Sequence, residues 1–137
     1  MAKNDKDIEQ KNDVNDCVIK VGGVEYELIL TTKAMKEIFL KYGGVEKLGF
    51  FLENNENPGQ SYLELIWVTA LLANQSVLIH NLKNPQEKRE LLTEETIELL
   101  TLPYEFGGFK NMILSAIIKG MKRDVESEDD EKNSQGG

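Results

Sequence analysis

Residues 62–80, Tyr-Leu-Glu-Leu-Ile-Trp-Val-Thr-Ala-Leu-Leu-Ala-Asn-Gln-Ser-Val-Leu-Ile-His, are apolar almost all the way round a helix. Leu65, Ile66, Thr69, Leu72, Ala73 and Val77 recur at helical spacing, while Trp67, Val68 and Leu71 fill much of the other side. A helix of that kind has to be wrapped by its neighbours, because no polar stripe is left to face water. It is therefore the central element of the core. Ser61-Tyr62-Leu63-Glu64 ahead of it reads as a capping box, with Ser61 and Glu64 satisfying amide donors reciprocally.

The wrapping must come from the flanking segments. Cys17-Val18-Ile19-Lys20-Val21 and Val24-Glu25-Tyr26-Glu27-Leu28-Ile29-Leu30 are strand-like and are separated by Gly22-Gly23, which suits a two-residue hairpin turn. Val24, Tyr26, Leu28 and Leu30 share the face expected to pack. Thr31-Thr32 are N-caps for a helix over about 33–42, carrying Met35, Ile38, Phe39 and Tyr42, and Gly43-Gly44 stops it. A short helix follows over about 45–52, then a loop at 54–59. After a polar connection over 81–92, Thr93-Glu94-Glu95 opens another helix, expected to bury Ile97, Leu100 and Leu102 and to end before Pro103. The last helix spans about 105–123, with Phe106, Phe109, Met112, Ile113, Ala116, Ile117, Gly120 and Met121 on its apolar side.

The expected fold is thus mainly α: an N-terminal β-hairpin followed by about five helices in a single domain over 17–123. The polar arm 1–16 and the acidic tail 124–137 hold too few bulky apolar residues to offset the entropy of ordering them, and both are expected to be disordered.

Composition narrows the function classes. The chain has 24 acidic and 16 basic residues, a net charge of −8, which disfavours phosphate-backbone binding and attachment to anionic membranes. No nucleic-acid or membrane partner is expected. One cysteine, Cys17, excludes an intrachain disulfide and a multi-cysteine zinc site. The longest apolar runs are broken within a few residues, short of the roughly 20 that span a bilayer, and the N-terminus lacks a signal-peptide core. A cytoplasmic protein is expected.

Catalytic constellations are weak. His80 is the single histidine and lies near a helix C-terminus, where the dipole alone accounts for it. Glu94 and Glu98 share a helix face but fit an acidic first turn, and the tail carboxylates Glu126, Glu128, Asp129, Asp130 and Glu131 lack the ligand order of a calcium loop. The glycine pairs at 22–23, 43–44 and 107–108 are not followed by the Gly-Lys-Ser/Thr of a phosphate loop. No enzyme, cofactor or metal is expected.

Binding is the better expectation. Phe50 and Phe51 are adjacent, so one helix cannot turn both into the same core. Together with Trp67, Tyr104, Phe106 and Phe109 they form the candidate partner-binding set, with core packing the competing fate for most of them.

The order Val-Gly-Gly-Val-Glu-Tyr-Glu-Leu-Ile-Leu-Thr-Thr-Lys-Ala-Met-Lys-Glu-Ile over 21–38, then Lys-Tyr-Gly-Gly-Val-Glu-Lys-Leu-Gly over 41–49, resembles the tail assembly chaperones of long-tailed bacteriophages and prophages of Gram-positive bacteria. The resemblance is one of overall pattern over residues 17–132. It implies a non-enzymatic protein of the host cytoplasm that binds and solubilises the tape measure protein during tail assembly, self-associates, and gives way to tail tube protein. It also implies that this chain is the short form of a gene product that a frameshift can extend. The alternatives are a structural tail or head–tail joining component, another acidic interaction module, a DNA mimic, or an enzyme built around His80, Cys17 or a carboxylate pair.

Overall fold

The computed structural model describes residues 17–53 and 56–136, with side chains described as far as Met121. The arm 1–16 lies outside the described residues. The described chain has the expected architecture, a two-stranded antiparallel hairpin followed by five α-helices.

Strands β1 (Val18–Val21) and β2 (Val24–Glu27) pair Val21 with Val24 and Ile19 with Tyr26. Gly22 and Gly23 have φ of 59° and 82°, the left-handed pair that a tight hairpin turn demands and that only glycine adopts without strain. Ile19, Val21 and Leu28 are buried, but Val24 at the turn stays exposed rather than joining the packed face.

Helix α1 (Thr32–Tyr42) starts at Thr31, whose hydroxyl accepts from the Ala34 amide at 3.0 Å. It ends at Gly43, in the left-handed conformation at φ 93°. The Thr31 hydroxyl also donates to Gln75 Oε1 at 2.5 Å, so one cap fixes α1 to the central helix. Ala34, Ile38 and Tyr42 form the buried stripe, whereas Phe39 is exposed. Helix α2 (Val45–Glu53) buries Leu48 and Leu52.

Helix α3 (Pro58–Lys83) begins one turn earlier than the capping box implied and ends past His80. Asn57 is the cap, its Oδ1 accepting from the Gln60 amide at 3.3 Å, and Pro58 occupies the first turn, where its missing N–H costs nothing. Glu64 is thereby released from capping and turns toward α1. At 26 residues, with mean hydropathy 1.4 over its most apolar 18-residue window, α3 does meet the length and composition of a membrane-crossing helix. In this fold it is the core helix, packed by β2, α1, α2 and the helices that follow.

Helix α4 (Glu94–Leu100) is capped by Thr93, which accepts from the Thr96 amide at 3.1 Å. Ile97 is buried as expected, but Leu100 and Leu102 are exposed. Seven residues make only about two turns, and a stripe that narrow buries one large side chain and the Thr101 that follows. A 3₁₀ turn (Pro103–Glu105) leads into α5 (Phe106–Gly136), its entry held by the Glu105 carboxylate accepting from the Leu102 amide at 2.8 Å. Phe106, Phe109, Ile113, Ala116 and Ile117 are buried, while Met121 is exposed. Helix α5 runs beyond the expected end near Arg123. The expectation of disorder over 124–137 falls on residues whose side chains lie outside the described ones.

The core closes where every helix contributes at least one large, fully buried residue, among them Ile38, Leu48, Leu72, Ile97 and Ile113, joined by Val21 of the hairpin. Each such side chain is worth about 1.5–3 kcal/mol of transfer free energy. Backbone approaches are close as well. The Ile29 amide donates to Leu72 O at 3.3 Å, and a Cβ on Gly120 would lie 2.8 Å from Leu30 Cβ.

Candidate functional site

The N-terminal turns of α3 form a ridge between two surface grooves that share Ser61. One groove, about 250 Å³, is lined by Phe50, Phe51, Glu56, Asn57, Gln60 and Glu64. The other, about 340 Å³, lies between Leu52, Tyr62 and Leu65 on one side and Pro103, Phe106 and Lys110 on the other.

A row of aromatic rings leads from the first groove into the protein. Phe50 and Phe51 are 62% and 44% exposed, with centroids 6.3 Å apart. Phe51 meets Tyr42 at 5.6 Å, and Tyr42 meets Trp67 edge-on at 5.8 Å. Edge and tilted contacts at these separations suit the ring quadrupoles. Sequence spacing had put Phe50 and Phe51 on different faces of one helix. Both nevertheless reach the same surface, because α2 is short and only Leu48 and Leu52 turn fully inward.

A polar cluster sits against this row. The Tyr42 hydroxyl donates to Glu64 Oε1, and the Gln60 side-chain amide donates to Oε2 at 2.5 Å. Lys41 Nζ stands 3.8 Å from Glu64 Oε1 and 4.4 Å from the centroid of the Trp67 ring. Glu64 is only 8% exposed, so these donors are what makes a carboxylate tolerable there. Burial, and secondarily the hydrogen bond and the charge of Glu64, push the Tyr42 phenol well above the ordinary tyrosine value. Tyr42, Glu64, Gln60 and Lys41 were not among the candidate site residues read from the sequence. The available signal was a glutamate inside an apolar helix, which the capping assignment had absorbed.

The rest of the candidate set divides. Tyr62, Phe106 and Phe109 form a second aromatic group, with centroids 5.3 and 5.4 Å apart along the series. Phe109 is core, and Phe106 is the buried floor of the second groove. Tyr104 is 80% exposed on the 3₁₀ turn beside Pro103. Trp67 is half-buried beneath Lys41. The structure therefore brings Phe50, Phe51 and Trp67 into one row through Tyr42, and places Tyr104, Phe106 and Phe109 apart from it.

His80 has a structural role on the opposite end of α3. Its Nε2 lies 2.8 Å from Glu87 O, and Asn84 caps the helix by donating through its backbone and side chain to His80 O. Cys17 is buried at the start of the hairpin, far in sequence and element from that loop. Among the described residues no group of three or more His, Cys, Asp or Glu side chains is placed to hold a metal ion. No family model matches this chain, and no curated protein or solved structure is found to be similar to it.

Proposed function

We propose that this chain is a non-catalytic binding protein that keeps a long, apolar-faced partner soluble, as the phage tail assembly chaperones it resembles are thought to do for the tape measure protein. The observation that carries this reading is the open end of the aromatic row. Phe50 and Phe51 stand in solvent at the first groove, across the α3 ridge from the second, and polar residues border them. Large exposed apolar side chains gathered at a groove are unfavourable in a free protein and mark a surface that another chain covers. An amphipathic helix lying across the α3 ridge is the natural occupant in shape and polarity. On this reading the protein acts in the bacterial host cytoplasm, binds in several copies, and is displaced when tail tube protein polymerises.

The test is co-expression with the tape measure protein of the same phage or prophage, followed by pull-down and size-exclusion light scattering. A soluble complex with several copies of this chain per partner is the expected result. A partner that precipitates while this chain elutes alone as a monomer overturns the reading.

A further inference from the structure

The groove at Phe50 and Phe51 has a chemistry of its own. Its walls are two aromatic rings; its polar lining is Glu56, Glu64, Asn57, Gln60 and Ser61, with no lysine, arginine or histidine among the described lining residues. Glu64 is held in place by Tyr42 and Gln60, so its position is fixed before anything binds. Each carboxylate oxygen accepts one of those bonds and keeps further acceptor capacity. The nearby cation, Lys41, is a loose partner at 3.8 Å and is drawn over the Trp67 ring.

Aromatic faces and carboxylates converging on a small open cavity form a receptor for a positive group, with ring quadrupole and charge acting together. From this complementarity we propose that the groove receives a lysine or arginine side chain presented by an apolar-faced helix of a partner protein. This deepens the proposed function, on which it rests for the kind of partner, by naming the anchor. The helix's apolar face lies on Phe50 and Phe51, and its cation enters the groove beside the rings and reaches Glu56 and Glu64. The incoming charge competes with Lys41 for Glu64, which changes the surroundings of Trp67, the one tryptophan in the chain.

The experiment titrates the full-length protein with a synthetic amphipathic helix bearing leucines on one face and lysines on the other, reading Trp67 fluorescence. A second peptide carries glutamine in place of lysine. The Phe50→Ala/Glu56→Gln double variant alters exposed positions only and leaves Glu64 and its buried partners intact. Expected are a fluorescence change with the lysine peptide and an affinity lower by roughly tenfold for the glutamine peptide and for the variant. Equal binding of both peptides overturns the cation site. So does equal binding of the lysine peptide by the variant, which would reflect only general attraction to a chain of charge −8. The tape measure pull-down separates the two claims. A complex that forms equally well with the double variant sinks this site but keeps the proposed function, whereas tight lysine-peptide binding without a tape measure complex does the reverse.

Discussion

The Tyr42 hydroxyl bonds to the Glu64 carboxylate across 22 residues of sequence, tying the last turn of α1 to the beginning of the central helix. Its partner is buried, so removing the donor leaves a carboxylate less well satisfied. Tyr42→Phe is expected to lower stability by about 1–3 kcal/mol, measured by urea denaturation near neutral pH. A change within experimental error would mean that Gln60 and Lys41 satisfy Glu64 alone.

The same pair predicts an alkaline sensitivity. The folded-state pKa of Tyr42 is raised, so the neutral phenol is favoured in the folded chain. An unfolded tyrosine loses its proton near pH 10, and between that point and the higher folded value the unfolded state binds fewer protons. The stabilisation is thus fully present below about pH 10 and declines above it, with a slope approaching about 1.4 kcal/mol per pH unit for this one group. Denaturation curves from pH 8 upward should show a steeper alkaline loss for the wild type than for Tyr42→Phe. Parallel curves would exclude Tyr42 as the source.

Much of this architecture is legible in the sequence because its signals are local. Gly22-Gly23 needs only a permissive backbone, and Thr31, Thr93 and Gly43 cap helices through groups within four residues. Where the reading failed, the deciding partner lay far along the chain. Ser61-x-x-Glu64 and Asn57-Pro58 are both helix-start patterns, and Tyr42 tips the choice by giving Glu64 a different bond. Leu100 is apolar at a plausible helical position, yet it lies over the hairpin turn at Gly22 and not inside. The aromatic row was half visible: adjacency exposed Phe50 and Phe51, but nothing local connects them to Trp67 through Tyr42.

The connection after α3 predicts a further pair of effects. Asn74 and Asn81, two helical turns apart on α3, each grip the backbone of one residue in the returning segment. Asn74 receives the Leu92 amide at 2.6 Å and donates to Leu92 O at 2.8 Å; Asn81 does the same with Arg89 at 2.8 and 3.0 Å. Asn74→Ala should cost about 1–3 kcal/mol, because its bonds are partly buried and Leu92 is core. Asn81→Ala, which removes exposed bonds, should cost roughly 1 kcal/mol or less. Hydrogen exchange at the Leu92 and Arg89 amides reads each contact separately. Protection of Leu92 that survives in Asn74→Ala would show that burial, not the side chain, shields it.

Neighbours on α2 give a sharp contrast between core and surface. Leu48→Ala empties a fully buried position and should cost about 2–5 kcal/mol. Phe50→Ser, in the exposed part of the aromatic row, should stay within about 0.5 kcal/mol of the wild type. Urea midpoints compare the two directly. A destabilisation by Phe50→Ser as large as that of Leu48→Ala would mean that the ring supports the fold, and the surface argument for the first groove would fail with it.

A close approach between α5 and the segment after the hairpin yields a coupled prediction. A Cβ on Gly120 would lie 2.8 Å from Leu30 Cβ and 3.1 Å from its Cδ2, so Gly120→Ala forces α5 away from the segment behind the hairpin. Overpacking of this kind costs typically 1–3 kcal/mol, and the helix propensity gained from alanine, about 1 kcal/mol, only partly offsets it. Leu30→Ala removes Cδ2 but not Cβ, so it relieves part of the clash. In a double-mutant cycle, Gly120→Ala should therefore be less harmful in the Leu30→Ala background, with a favourable coupling of about 0.5–2 kcal/mol. Strict additivity, or a Gly120→Ala variant more stable than wild type, would show that α5 and the hairpin segment are not in contact at this point.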